Sequence, residues 1–234
     1  MSFLNLVRER SGGQSSGKTP EDEHLDQELE NILNHPTPPY SETDYWNTRY
    51  EREPEPCDWY QPWSRIKTVV LPIIQARGKA LDVGCGNSPM TSELLADGFE
   101  EVIGLDISST VIRQNQEKFV DEPRLKFICG DVLKMEGIET GSIDVVFDKG
   151  TLDSMMCSGP SSRLVVQMME EISRVLKPGG FFVEISYGTP NTRASFLKSP
   201  QYKWTVLDNA EIEKTTEKGT FHYIYLAQKN KSQE

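Results

Sequence analysis

The stretch LDVGCGNS, residues 81–88, carries an apolar run into a tight glycine turn. Gly84 and Gly86 have no Cβ, so the backbone there can pass close to a ligand. A strand, a G-x-G turn and a following helix open a doubly wound α/β sheet, whose ligands bind beyond the carboxyl ends of the strands. The dinucleotide fingerprint needs a third glycine three residues after Gly86, and Pro89 stands there instead. That departure argues against a nicotinamide or flavin cofactor.

Outward from this turn the pattern is regular. KALDV reads as the first strand, and MTSELLADG as a helix opened by Ser88 and stopped at Gly98. EVIGLDIS is a second strand, Ser108 to Val120 a second helix, RLKFICGDV a third strand and SIDVVFDKG a fourth. In SSRLVVQMMEEISRVLKPGG, apolar residues fall at 164, 165, 168, 169, 172, 175 and 176, a helical period ended by Lys-Pro-Gly-Gly. FFVEISYG follows as a fifth strand, then WTVLD and FHYIYLAQK as two more with little between them. The expectation is one mixed seven-stranded α/β sheet, mostly parallel, with a terminal hairpin placing one antiparallel strand in it.

Ahead of the sheet, residues 1–40 read as a flexible polar tail. SGGQSSGKTP has no core-forming residues, Glu21 to Leu33 suit a short acidic helix, and HPTPPYS ends it. The folded domain is expected over 41–230, as an aromatic N-terminal segment, 41–65, and a core, 66–230. In the first part, SETDYWNTRYERE has Ser41 as its N-cap, and CDWYQPWS adds Trp59 and Trp63 to Trp46. Arg65 to Gln75 reads as a further helix, limited by Pro72.

Acidic residues outnumber basic ones 36 to 25, for a formal charge of -11. Neutralising nucleic-acid phosphates needs the opposite balance, so no nucleic-acid partner is expected. The four cysteines and three histidines are scattered, leaving no basis for a metal site. Reduced thiols and the absence of any long apolar span point to a cytoplasmic protein without a membrane partner. Nothing in the pattern suggests an obligate interface, and a monomer is expected.

Three further features fall at strand ends. Asp106 closes the second strand 22 residues after Gly84, where a carboxylate can accept from both hydroxyls of an adenosine ribose; the plainer alternative is a helix-cap aspartate before Ser108. Asp131 and Val132, in GDV, can read an adenine edge through a carboxylate and a backbone N–H. FDKGTLDSM, 147–155, crowds Asp148, Lys149, Thr151 and Asp153 around Gly150, more polar chemistry than a surface turn needs.

LDVGCGN, the strand-end Asp106, GDV and LKPGG together resemble the class I S-adenosylmethionine-dependent methyltransferases, whose fold is a Rossmann-like sheet. DKGTLD, with YWNTRY and CDWY upstream, is similar to a protein lysine methyltransferase group that includes enzymes acting on translation elongation factor 1-alpha. The resemblance covers about residues 41–228. It implies that Trp46, Tyr50 and Trp59 fold over the cofactor as a lid, with ordinary core packing as their alternative. It implies Gly84 beside the methionine moiety, Asp106 and Ile107 at the ribose, Asp131 and Val132 at the adenine, and Lys149 near the methionine carboxylate. Aromatic faces also suit a sulfonium cation.

An acceptor lysine must first lose its proton, at a cost of roughly 4 to 5 kcal/mol at pH 7. An apolar channel lowers that cost, and a carboxylate can orient the amine. Asp148 and Asp153 are the candidates for this catalytic role. The other readings are a methyltransferase for a small molecule and an inactive methyltransferase-like binding protein.

Overall fold

The computed structural model describes residues 38–231 apart from 76 and 158–161. The polar tail, up to residue 37, and its acidic helix lie outside the described residues.

The described part holds one sheet of seven strands in the order β3-β2-β1-β4-β5-β7-β6. Strands β1 (Lys79–Val83), β2 (Glu101–Asp106), β3 (Leu125–Cys129), β4 (Ile143–Lys149) and β5 (Leu176–Ser186) run parallel. Strand β7 (Phe221–Lys229) runs antiparallel to both of its neighbours, β5 and the edge strand β6 (Trp204–Glu213). The expected mixed sheet with one reversed strand is what forms.

Side-chain alternation along the strands divides the core into two layers. Ala80, Val145, Phe147 and Val183 face one layer, with Trp63, Ile66 and Val70 of helix α2 (Trp63–Val70) and Met90 and Leu94 of α3 (Met90–Ala96). Leu81, Val83 and Val146 face the other, with Leu152 of α5 (Thr151–Cys157) and Val165, Met168, Met169 and Ile172 of α6 (Ser162–Val175). Every one of these side chains is essentially excluded from water, so burial on both faces explains the continuous apolar runs of the central strands.

Helix α4 (Ser109–Lys118) is capped as its sequence suggests, with Ser108 Oγ accepting from Val111 N. Other boundaries moved. The N-terminal helix α1 (Thr43–Arg52) starts after Glu42 and takes no side-chain cap from Ser41. Helix α2 begins at Trp63 and stops at Val70, because Pro72 lacks the N–H that a further turn requires. Lys-Pro-Gly-Gly was expected to end the helix ahead of the fifth strand; instead β5 already begins at Leu176 and includes it, with a register irregularity against β4 between Ile143 and Val145. An unexpected helix, α7 (Pro190–Leu197), carries the chain from β5 towards β6.

Candidate active site

The chain runs from β1 outward to β3, then returns to β4 on the opposite side of β1. This reversal opens a crevice at the carboxyl ends of β1 and β4. A cavity occupies it, with Asp82, Gly84, Asp106, Asp131, Lys149 and Trp59 in its wall.

The glycine turn is held by its neighbours. Gly84 has φ +64°, and a Cβ there would lie 1.9 Å from Thr151 Oγ1, which donates to Val83 O at 2.9 Å. Gly86 has φ +52°, and a Cβ would stand 2.7 Å from the Tyr50 hydroxyl. Its N–H donates to Asp106 Oδ2 at 2.9 Å, and Ser108 N donates to Oδ1 at 2.9 Å. Asp106 thus joins the helix-cap contact to the glycine-turn contact. Burial raises its pKa against the pull of these N–H donors. A carboxylate offers about four acceptor positions, and these N–H groups do not fill them all.

Asp82, which the sequence reading passed over, also lines the cavity. It is 2% exposed, accepts from Thr91 Oγ1 at 2.7 Å, and is pushed by burial up to about 6. Its position inside an apolar strand was the available signal, since a carboxylate is rarely buried without a partner or a purpose. Lys149 is buried in the wall, with its ammonium on Asp58 Oδ1 and 3.0 Å from Ser88 Oγ. Asp131 is exposed; its Oδ1 accepts from Leu133 N at 2.8 Å, and Val132 lines the wall beside it. Ile107 lines it too, 37% exposed.

The N-terminal segment supplies the remaining wall. Asn47 Oδ1 accepts from Ser108 Oγ at 2.8 Å and Thr110 N at 3.3 Å, and Gln114 Nε2 donates to Tyr50 O at 3.0 Å. These contacts fasten α1 across the start of α4. The Trp46 ring is stacked between Tyr40 and Tyr50, with centroids 5.6 and 5.9 Å away, and meets Trp59 edge-on at 6.5 Å. Tyr40 belongs to this cluster although its sequence neighbourhood reads as tail, because its carbonyl accepts from Trp46 Nε1 at 2.8 Å.

Asp148 and Asp153 stand elsewhere. Asp148 is fully buried and accepts from Thr151 N at 2.8 Å and Leu152 N at 3.1 Å, capping α5. Burial raises it to about 7. Asp153 is 2% exposed and accepts from Tyr60 Oη at 2.8 Å, Ser186 Oγ at 2.7 Å, Tyr187 N at 3.1 Å and the Arg193 guanidinium. Neither residue lines the cavity; both carboxylates are directed at protein donors, where the sequence suggested an acceptor amine.

This donor set fits S-adenosylmethionine. Two glycines leave no room for a side chain, carboxylates at the strand ends offer hydroxyl and amine acceptors, and aromatic faces suit a sulfonium. A model of the methyltransferase domain matches residues 81–183. EEF1A lysine methyltransferase 4 from Bos taurus is 30% identical over 202 residues, covering 82% of this chain and 77% of that one. The chain belongs to the S-adenosylmethionine-dependent methyltransferases.

The methyltransferase is also 32% identical to human eEF1A lysine and N-terminal methyltransferase over 160 residues, which span 67% of this chain and 23% of that longer protein. In fold it is similar to the N-methyltransferase NodS from Bradyrhizobium japonicum WM9, solved with S-adenosyl-L-homocysteine. The TM-score is 0.60 at 14% identity, covering 79% of this chain and 98% of that one. The enzyme's cofactor is S-adenosyl-L-methionine. No helix among the described residues is long and apolar enough to cross a membrane.

Proposed function

We propose that this methyltransferase methylates a lysine side chain of a protein, with translation elongation factor 1-alpha as the substrate, and that it acts as a cytoplasmic monomer. The observation that carries this reading is its likeness, across most of both chains, to an enzyme named for elongation factor 1-alpha lysine methylation.

When bound, S-adenosylmethionine supplies an electrophilic methyl group on a sulfonium centre. The residues of this chain bind and orient. Trp46, Tyr50 and Trp59, on the segment 41–65, cover the cofactor as a lid. Gly84 admits its methionine portion, and Lys149, already neutralised in part by Asp58, stands ready to meet a carboxylate. Asp106 and Ile107 hold the ribose, and Asp131 with Val132 the adenine. Most of the rate then comes from holding amine and methyl carbon in line. Asp148 and Asp153 serve by position: one fixes the start of α5 beside the glycine turn, and the other ties together the segments around it.

The test is transfer of labelled methyl from S-adenosylmethionine to purified, unmethylated elongation factor 1-alpha. Label recovered as methyl-lysine is the expected result. Absence of label from the elongation factor, with label only in the small-molecule fraction when a methylation-depleted lysate is supplied in its place, overturns the reading.

A further inference from the structure

Between helices α1 and α2 the chain runs along the glycine turn as a strap. Residues 53–58 form neither helix nor strand, and the whole run from 51 to 58 is exposed. Both flanks are anchored. On one side Tyr50 is buried, and its carbonyl accepts from Gln114 Nε2 at 3.0 Å. On the other, the Tyr60 hydroxyl donates to Asp153 Oδ2 at 2.8 Å, and Trp63 Nε1 donates to Asp97 Oδ2 at 2.6 Å.

Side chains hold the strap itself at three points. Asn87 Nδ2 donates to Glu53 O at 3.3 Å and to Glu55 O at 2.6 Å. The third point is Asp58. Its Oδ1 accepts from Ser88 Oγ at 2.6 Å and from the Lys149 ammonium, which also donates to Ser88 Oγ at 3.0 Å. Three side chains from distant parts of the sequence thus close one hydrogen-bonded ring. Lys149 is 8% exposed, so losing Asp58 strips a buried cation of its carboxylate, and that cost keeps the ring shut.

The neighbours of Asp58 give its position a consequence. Cys57 and Trp59, on either side of it, both line the cavity, as do Asn87, Ser88 and Lys149. Where Asp58 goes, two wall residues follow. A segment with few buried apolar contacts opens locally while its anchored flanks stay folded.

We propose that residues 53–58 are a gate on the cofactor cavity, that Asp58 is its latch on Lys149 and Ser88, and that opening of this gate limits cofactor entry and product release. This rests on the reading of the cavity as the cofactor site. Asp58 is a positioning residue, acting through Lys149 and through the piece of wall that it carries. Opening breaks the ion pair and the Asn87 contacts together, and closing restores them.

The experiment follows S-adenosylhomocysteine binding to the full chain by stopped-flow tryptophan fluorescence, with calorimetry for affinity. In the wild type the observed rate should level off as ligand concentration rises, because opening precedes entry. Asp58→Asn keeps the shape and removes the charge; its association and dissociation rates should both rise, by about tenfold. Asn87→Ala frees the strap without touching the ion pair, and should speed both rates in the same direction even where Asp58→Asn fails to fold. Loss of an ordinary contact speeds dissociation alone. An observed rate that stays linear in ligand for the wild type overturns the gate, as does unchanged association in both variants. Affinity that Asp106→Asn also leaves untouched places the ligand elsewhere and overturns the cavity reading instead, so the two failures are told apart.

Discussion

Gly86 N–H donates to Asp106 Oδ2 at 2.9 Å, across 20 residues of sequence. The bond ties the turn after β1 to the end of β2, and Asn115 Nδ2 completes the tie by donating to Gly86 O at 2.8 Å. Two features that read as separate motifs therefore form one rigid corner of the cavity.

Asp106→Asn tests that corner. The amide presents one acceptor oxygen in place of two, so either the Gly86 or the Ser108 N–H loses its partner. A buried N–H left unpaired costs roughly 1–3 kcal/mol. Calorimetric affinity for S-adenosylhomocysteine falls at least about tenfold, with a measurable drop in Tm; unaltered affinity removes Asp106 from the cofactor site.

Gly84→Ala places a methyl group 1.9 Å from Thr151 Oγ1 at φ +64°. Both clash and backbone strain oppose folding, and a loss of stability of about 1–3 kcal/mol is expected in chemical denaturation. Adding Thr151→Ala removes the closest clash, leaving Cβ at 3.0 Å, and keeps the backbone strain, so the double variant recovers part of the loss. Full recovery would show that the backbone conformation carries no cost.

Trp46→Ala removes the ring between Tyr40 and Tyr50. Loss of a partly desolvated aromatic face weakens cofactor binding by about fivefold to thirtyfold. Equal affinity in the variant and the wild type rejects the lid assignment for this residue.

Asp148 gives the enzyme a predictable response to pH. Burial raises it from 3.8 to about 7, so the folded state holds a proton that the unfolded chain releases between those values. Its contribution to stability is complete below about pH 4 and is lost as pH rises through about 7. Asp148→Asn cannot titrate, so Tm of wild type minus variant should decline between pH 5 and pH 8. A flat difference shows that Asp148 is ionised throughout.

The reading of the fold from sequence succeeded where burial dictates pattern. Strands covered on both faces must be apolar throughout, and the helix over 162–175 must repeat its apolar residues at a helical period. Both signals are local and survive in the bare sequence. Helix α7 left little trace because its apolar residues, Ala194, Phe196 and Leu197, form no single stripe. At the site, Gly84 and Asp106 were legible because a motif fixes each on a strand end. Tyr60 and Arg193 were not: their meaning comes from meeting Asp153 across 93 and 40 residues. Asp148 and Asp153 show the converse limit. Their crowding was visible, but the direction of each carboxylate depends on donors from Thr151, Ser186 and Arg193 that only the folded chain assembles.

Strand β7 follows β6 in sequence but lies between β5 and β6 in the sheet. A chain emerging from the ribosome therefore exposes β5 with an open hydrogen-bonding edge while β6 waits without its neighbour. The sheet closes only when β7 slides between them, and until then the nascent enzyme is open to mispairing. Chaperone demand and aggregation during synthesis should concentrate in that interval, and not in the assembly of the five parallel strands that build the cofactor site.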